Sequence, residues 1–446
     1  MTDHVTQGYN DECRKPGSKL LDVVARAKFP DRYFESFCDR MMPRPFFISE
    51  DEIRGSAADL MQVFDILVSL PDRLFGGDMS AYCAQLDIGP REAALMQRIS
   101  TGRPALFGRS DLYHDGTGLR LLEFNVGSQL GGIDQAQVLP ALMEVDSFAE
   151  FAEEHKLGYV HTGQQIAAAL RAAAAPISAE PVVALLEADG ALSGLMHLLG
   201  SFQEMLAGYG LDVRLGEISS VRERGGKLYL DGTPVDVVLR YFSVNQICRD
   251  PAGEAAVEPI LRAHEAGGTI LLTTLDSFLY SSKGCLTLLS DSRWRDALSR
   301  TESALVDRFV PWTRNVVDGP TEVAGQTVDL LDYCRASRER LLLKPRNDFG
   351  GRGIVIGWLS TDAEWAEALD GCRTRGYIVQ ERVVPRREPV IWPGTREQQD
   401  WVACWSTFLT PDGYAGSHIR ALPADETGII GRHFNVKTRL TSVYHF

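Results

Sequence analysis

Apolar positions recur at helical spacing in the first part of the chain. The stripe between residues 56 and 70 consists of Leu60, Val63, Phe64 and Leu67. Such a stripe is typical of a helix that packs on a core. The segment 19–97 is therefore predicted to be mainly helical, with Pro71 as one of its interruptions. Residues 1–18 show little apolar pattern and are predicted to form a loose leader.

Beyond residue 176, short apolar runs alternate with helical patterns. The predicted strands are 182–186, 212–215, 228–230, 235–241 and 269–275. A helix is predicted at 192–209, between the first two of them. This alternation is typical of a small open α/β domain. No G-x-G-x-x-G follows the first strand, so the pattern argues against dinucleotide binding.

Two β-prone runs flank a turn at residues 114–118 and predict a hairpin. If the strands pair symmetrically about the fourth turn residue, Asp111 faces Glu123. Arg109 then faces Asn125, and all four side chains point to one side of the sheet. Two carboxylates and an amide oxygen are ligands suited to Mg²⁺. The alternative interpretation is a hairpin with a solvated polar face.

A second informative stretch is the predicted strand 341–345, which contains Lys344 and runs into a glycine-rich loop. A lysine at the end of a rigid strand can hold a phosphate oxygen. Glycines such as Gly350 and Gly351 let backbone amides surround an anion. The loop leads into another apolar strand and lacks G-K-[ST], so it is not a Walker P-loop. A tight hairpin is the alternative.

Three further polar residues lie on predicted elements. Lys283 stands at the start of a helix, where a lysine is poorly placed for the helix dipole unless it shares the site with a phosphate. An exposed helix lysine is the simpler interpretation. The strands 403–409 and 414–422 are predicted to form a hairpin, with His418 and Arg420 on one face. His418 is interpreted as a packed or solvated histidine, or as a base for an amine.

Composition limits the classes of partner. The 446 residues carry a net charge of -14, which argues against nucleic acid but not against a nucleotide in a locally basic cleft. No apolar run is long enough to span a bilayer, and the polar N-terminus does not resemble a signal peptide. The eight cysteines are scattered, without zinc spacing. These features favour a soluble cytoplasmic protein of two or three domains.

The motifs together resemble a circularly permuted ATP-grasp ligase, similar to the eukaryotic-type glutathione synthetases and the glutathionylspermidine synthetases. In those families an Arg-x-Asp…Glu-x-Asn segment precedes a Lys-Pro-x4-Gly-Gly loop. The matching residues here, in chain order, are Arg109-Ser-Asp111, Glu123-Phe-Asn125, Lys283, Lys344-Pro345…Gly350-Gly351, Gln380-Glu381-Arg-Val383 and Ala415-Gly416…Arg420. Each motif is short, and their order and joint presence make the resemblance specific.

The resemblance implies roles for these residues. The implied Mg²⁺ ligands are Asp111, Glu123 and Asn125. The implied nucleotide contacts are Lys283 and Lys344 at the ATP phosphates, the closing loop of Gly350 and Gly351, and the adenine pocket of Gln380, Glu381 and Val383. Arg109 and Arg420 would hold the reacting carboxylate and its acyl phosphate.

Two positions depart from the glutathione synthetases. Asp348 stands where they carry a metal-binding glutamate, so the resemblance implies a metal role for it, with a side chain that is one methylene shorter. Leu422 stands where they place a lysine, which argues against glutathione synthesis itself.

The predicted fold class is α/β (α+β), a circularly permuted ATP-grasp fold with an inserted α/β domain and a helical N-terminal region. The predicted segments are 1–105 (helical), 106–180 (metal-binding), 181–275 (substrate-side α/β), 276–385 (nucleotide-binding) and 386–446 (C-terminal part of the core).

The expected function is ATP-dependent ligation of a small-molecule or short-peptide carboxylate to an amine. A phosphotransferase and a non-catalytic nucleotide-binding protein are the alternatives. The sequence indicates neither the two substrates nor the oligomeric state.

Overall fold

The computed structural model describes residues 2–100, 102–431 and 434–446. Its helices in these ranges are α1 (His4–Arg14), α2 (Val23–Arg26), α3 (Asp31–Phe37), α4 (Glu50–Phe75), α5 (Met79–Gln85), α6 (Pro90–Arg98), α7 (Val138–Met143), α8 (Asp146–Glu154), α9 (Thr162–Ala174), α10 (Leu192–Gly208), α11 (Val244–Arg249), α12 (Gly253–Glu265), α13 (Phe278–Ser281), α14 (Gly284–Ser290), α15 (Arg300–Phe309), α16 (Leu330–Ala336) and α17 (Asp362–Cys372). Along the described ranges, none of them is long and apolar enough to cross a membrane.

The strands in the same ranges are β1 (Phe46–Ile48), β2 (Gly108–His114), β3 (Leu119–Val126), β4 (Val182–Glu187), β5 (Asp212–Glu217), β6 (Val221–Arg224), β7 (Lys227–Leu230), β8 (Thr233–Val235), β9 (Val237–Arg240), β10 (Ile270–Leu272), β11 (Thr313–Asn315), β12 (Pro320–Val323), β13 (Gln326–Asp329), β14 (Leu341–Pro345), β15 (Val355–Ile356), β16 (Tyr377–Glu381), β17 (Arg387–Ile391), β18 (Gln398–Thr410), β19 (Gly413–Pro423) and β20 (Arg439–His445).

The largest sheet joins distant parts of the chain. Its order is β1-β20-β19-β18-β2-β3, and β17 pairs with the first half of β18. The two predicted hairpins, β2–β3 and β18–β19, are both confirmed and lie side by side through antiparallel pairing of β2 with β18. The first strand, β1, runs parallel to the last, β20. The sheet is therefore assembled from both ends of the described chain.

One face of this sheet is apolar and packs on α4. The buried cluster there includes Leu112, Leu121, Trp405 and Ile419 from the strands together with Phe64 from the helix. Since successive side chains of a strand alternate between faces, the polar neighbours of these residues point to the opposite face. The polar face of the sheet is thus set by burial of the other one.

Two four-stranded sheets accompany the large one, in addition to the small sheets β6–β7–β8 and β12–β13. The strands β10, β9, β4 and β5 form a parallel sheet in that order, with α10 between β4 and β5 as predicted. The predicted strand 228–230 lies instead in β7 of the antiparallel β6–β7–β8 sheet. The strands β11, β16, β14 and β15 form an antiparallel sheet, and the predicted glycine-rich loop connects β14 to β15. The structure is therefore mixed α/β, as the sequence predicts.

The predictions for residues 1–18 and for Pro71 were wrong. Val5, Tyr9 and Cys13 lie four residues apart on α1 and are buried, so this short stripe forms a helix with a core-facing side. Pro71 lies inside α4, which continues to Phe75 and is terminated by Gly76 at a φ of 59°. A left-handed C-terminal glycine, and not the proline, ends this helix.

Candidate active site

A cavity of about 1090 Å³ lies between the polar face of the large sheet and the β11–β16–β14–β15 sheet. The predicted site residues that line it are Arg109, Asp111, Glu123, Asn125, Lys344, Asp348, Gly350, Gly351, Gln380, Glu381, Val383 and Arg420. Lys283 is buried behind this wall and contacts two of its members. Residues spread over 312 positions of the sequence therefore meet around one space.

The paired residues of β2 and β3 at the site are the predicted ones, but the turn alone does not produce this register. Arg109 pairs with Asn125 and Asp111 pairs with Glu123. Nearer the turn the pairing shifts by one residue, so that Leu122 has no partner on β2. This β-bulge leaves the Leu122 carbonyl outside the ladder. The carbonyl accepts a hydrogen bond of 3.3 Å from Lys344 Nζ.

Asp111 is held by cations on both sides. Arg420 Nη2 lies 2.6 Å from its Oδ2, and Arg109 Nε lies 3.1 Å from its Oδ1. Ser406 Oγ also donates to Oδ1, at 2.9 Å. Burial would raise the pKa of the Asp111 carboxyl, but the two arginines outweigh it and hold that pKa well below its usual range. The carboxylate in turn fixes both guanidinium groups at the wall of the cavity.

Sequence reasoning did not identify Ser406. It lies opposite Asp111 on β18, and Cys404, two residues earlier, lies opposite Arg420 on β19. The period-two alternation of β18 puts both on the polar face. Their relation to Asp111 depends on the pairing of β2 with β18, which no local pattern in the sequence indicates.

Lys283 precedes α14 and is buried. Its Nζ lies 3.0 Å from Glu123 Oε1 and donates to the backbone carbonyl of Asp348 at 2.6 Å. The carboxylate compensates a lysine that is unfavourably placed at a helix start. The simpler interpretation of Lys283 as an exposed helix lysine was wrong, because only 4% of the residue is exposed.

Lys344 lies at the end of β14 and is also buried. Its Nζ donates to Gln380 Oε1 at 2.7 Å, and Gln380 Nε2 donates to Thr313 Oγ1 at 3.2 Å. Burial, followed by the nearby Lys283, lowers the pKa of Lys344 to about 8, while Glu123 acts in the opposite direction. Gln380 therefore directs its amide at Lys344 and Thr313.

The glycine loop approaches other segments closely. Gly350 and Gly351 have φ values of 69° and 77°, which side chains with a Cβ rarely adopt. A Cβ on Gly351 would come within 2.8 Å of the ring of Phe434. Phe434 belongs to the connection between β19 and β20, which also lines the cavity. This second loop was missed, because its residues carry no motif.

The oxygen donors of the hairpin fit a hard divalent cation. Glu123 contacts Lys283 through one oxygen, and no hydrogen bond from the described residues reaches the side-chain amide of Asn125. Within the described chain, no cluster of three histidine, cysteine or acidic side chains is arranged around a metal position. Mg²⁺ needs only one or two carboxylates besides substrate phosphates. For Asp111 to bind the metal ion, one of its oxygens would have to give up its present contact with Arg420, Arg109 or Ser406.

Comparison with known proteins identifies the fold. A glutathione synthetase-like effector from Globodera pallida, in its apo form, has a TM-score of 0.55 at 12% identity and covers 100% of this chain and 98% of its own. A putative gamma-glutamylcysteine synthetase from Methylobacillus flagellatus KT has a TM-score of 0.43 at 13% identity, covering 90% of this chain and 89% of its own. D-alanyl-alanine synthetase A from Vibrio cholerae O1 biovar eltor has a TM-score of 0.30 at 13% identity, covering 59% and 74%.

No protein-family model and no curated protein matches the sequence. The glutathione synthetase-like effector nevertheless shares the fold over the whole chain. The resemblance that the motifs predict is therefore confirmed at the level of the fold.

Proposed function

We propose that this protein is an ATP-dependent ligase that joins a carboxylate to an amine through an acyl phosphate, releasing ADP and phosphate. The observation that carries the proposal is the single cavity in which the Asp111–Arg109–Arg420 cluster faces Lys344 and the glycine loop. We further propose a circularly permuted ATP-grasp core, with residues 181–275 shaping the substrate end.

The chain's own residues account for binding and orientation in this reaction. Lys344 and Lys283 supply positive charge for the nucleotide phosphates. The 380–383 segment lines the pocket for the adenine ring. Arg109 and Arg420 hold the reacting carboxylate and then the acyl phosphate, where negative charge develops. Preorganised cations of this kind lower the barrier because they need no reorganisation during the reaction. Mg²⁺, held by Glu123 and Asn125, would supply further neutralisation of phosphate charge when bound.

The direct test is ADP release from ATP and Mg²⁺ with paired candidates drawn from amino acids, short peptides and polyamines. A ligase releases ADP and phosphate only when both a carboxylate and an amine are present. Labelling the carboxylate with ¹⁸O should transfer one label into the released phosphate, because the acyl phosphate breaks at its C–O bond. ADP without free phosphate would indicate the phosphotransferase alternative. No turnover and no nucleotide binding with any pair would contradict both.

The carboxylate of Glu123 offers a separate test of the proposed Mg²⁺ site. We expect Glu123→Gln to weaken Mg²⁺–nucleotide binding by about 1.5–3 kcal/mol, roughly ten- to a hundredfold in Kd, because an anionic ligand becomes neutral. Titration calorimetry with a non-hydrolysable ATP analogue measures the change.

Two controls define this result. With Mg²⁺ chelated, the same variant should bind the analogue no more weakly than the wild type, since a repulsive carboxylate has been removed. Glu339→Gln, which changes an exposed carboxylate, should leave both titrations unaltered. An equal loss with and without Mg²⁺ would rule out a metal role for Glu123.

A further inference from the structure

A row of polar residues crosses the large sheet. Direct pairing between adjacent strands places Glu123, Asp111, Ser406, His418 and Ser442 on successive strands in one line. Strands lie about 4.8 Å apart, so His418 is roughly 14 Å from Glu123 along this row. Arg420 is two residues from His418 on the same strand and points to the same face. His418 and Glu123 thus lie on opposite sides of the cluster formed by Asp111, Arg109 and Arg420.

His418 is buried in the cavity wall, and no hydrogen bond from the described residues reaches its ring. Only 3% of the residue is exposed, and its Nδ1 has no partner. Neither ring nitrogen is hydrogen-bonded to any described residue. Buried imidazoles in protein cores are almost always hydrogen-bonded. An unpartnered one that lines a cavity is therefore available to a ligand.

Close packing fixes the position of this imidazole. Gly132 lies so near that an added Cβ would come within 3.0 Å of three ring atoms. On the other side the ring contacts Phe408, with centroids 5.6 Å apart. The charged groups that face it are Arg109, Arg420 and Asp111. Burial and then the two arginines lower the pKa of His418 well below its usual value, so the ring is neutral at pH 7.

We infer that His418 is the base that accepts the proton of the attacking amine. This inference rests on the proposed ligase function. The neutral amine nitrogen forms a bond to the acyl carbon, the C–O bond to phosphate breaks, and the bonding electrons leave with the phosphate. The proton lost from the nitrogen passes to the free imidazole nitrogen and then to water.

The order of groups along the row supports this role. The lysines and Glu123 occupy one end, where the nucleotide phosphates would lie. Arg109 and Arg420 lie in the middle, where the carboxylate would be activated. The part of the row beyond the arginines, at His418, is the side from which an amine reaches the acyl carbon without displacing the nucleotide.

The test separates activation of the carboxylate from use of the amine. Hydroxylamine is a strong nucleophile that is largely unprotonated at neutral pH, and it traps acyl phosphates as hydroxamates. Wild type and His418→Gln are compared with ATP, Mg²⁺ and a panel of amino acids and dipeptides as carboxylates. Hydroxylamine serves as the amine in one series, and amino acids or polyamines serve in the other.

We expect His418→Gln to form hydroxamate at the wild-type rate and to lose about a hundredfold or more in amide formation, which is the usual contribution of a general base. His161→Gln is the matched control. His161 is another buried histidine, with its pKa lowered to about 4 by burial, and it does not line the cavity. It should leave both rates unchanged.

A second variant tests the imidazole itself. In His418→Ala, added imidazoles should restore amide formation, and the restored rate should increase with the basicity of the imidazole. Equal loss of hydroxamate and amide would show that His418 acts on carboxylate activation or folding, and would overturn the inference. Unchanged amide formation in His418→Gln would overturn it as well. Absence of hydroxamate in the wild type with every carboxylate would contradict the ligase proposal itself.

Discussion

Replacing Arg420 by alanine is expected to reduce product formation by about 10²–10³-fold, while the Kd for ATP stays near that of the wild type. This loss corresponds to roughly 2.7–4 kcal/mol, the usual effect of removing one preorganised donor to a developing oxyanion. Arg420 contacts Asp111 at 2.6 Å, and no hydrogen bond in the described structure joins it to Lys283 or Lys344, so we expect nucleotide binding not to depend on it. Turnover numbers and calorimetric titration of an ATP analogue measure the two quantities.

Two measurements distinguish a loss of the Arg420 guanidinium group from a loss of the folded structure. Thermal unfolding of Arg420→Ala should remain cooperative, because Arg109 and Ser406 still contact Asp111. Arg420→Lys should recover only part of the activity, since a lysine cannot reproduce the planar donor group. Near-normal turnover in Arg420→Ala would remove this residue from the chemistry. A parallel loss of ATP affinity would place it in the nucleotide site.

Replacing Lys344 by methionine is expected to weaken ATP binding roughly a hundredfold and, in the same variant, to stabilise the protein. The affinity falls because a charged donor to phosphate is lost. The free energy of unfolding near pH 7 rises by roughly 2 kcal/mol, because methionine avoids the cost of burying an ammonium group and only the hydrogen bonds to Gln380 and Leu122 are lost. General damage to the fold would weaken ATP binding and also lower the free energy of unfolding. Weaker binding together with higher stability therefore separates the predicted effect from such damage.

The pH dependence of stability provides the control. The pKa of Lys344 is about 8 in the folded protein and about 10.4 in an unfolded chain. Between these values the unfolded state binds more protons, so this residue makes the wild type more stable as pH rises from about 8 to about 10. Lys344→Met should lack that contribution in urea unfolding curves measured at both ends of the window. Identical pH dependence in the two proteins would show that Lys344 is not buried as a charged group.

Several features of the site could be predicted because their causes are local. The glycine-containing turn at 114–118 indicates the β2–β3 hairpin, and the structure has that hairpin. The alternation of polar and apolar residues on β19 likewise puts His418 and Arg420 on one face.

The bulge at Leu122 could not be predicted in this way, yet it is what places Asp111 opposite Glu123. The register next to the turn, with His114 opposite Leu119, would by itself pair Asp111 with Leu122. The register shift at the bulge lies within a strand, away from the turn chemistry that indicates the hairpin.

Other features depend on pairings between distant segments. The resemblance implies a place for Gln380 in the adenine pocket. Its contact with Lys344 comes from the antiparallel pairing of β14 with β16, which no local pattern indicates. Helix α1 was missed because its buried stripe is short, with only Val5, Tyr9 and Cys13 as clear signals. Its stability comes from packing on the rest of the protein, as is usual for short helices.

The sequence by itself determined the two hairpins, the common face of His418 and Arg420 on β19 and the order of the motifs. Turn chemistry and side-chain periodicity act over a few residues and are readable without the fold. Only the tertiary structure decided that β2 lies beside β18, so that Asp111 meets Ser406, 295 positions away, and His418 completes the polar row. That choice is made by burial of the opposite, apolar face against α4, whose gain offsets the entropy of closing so long a loop.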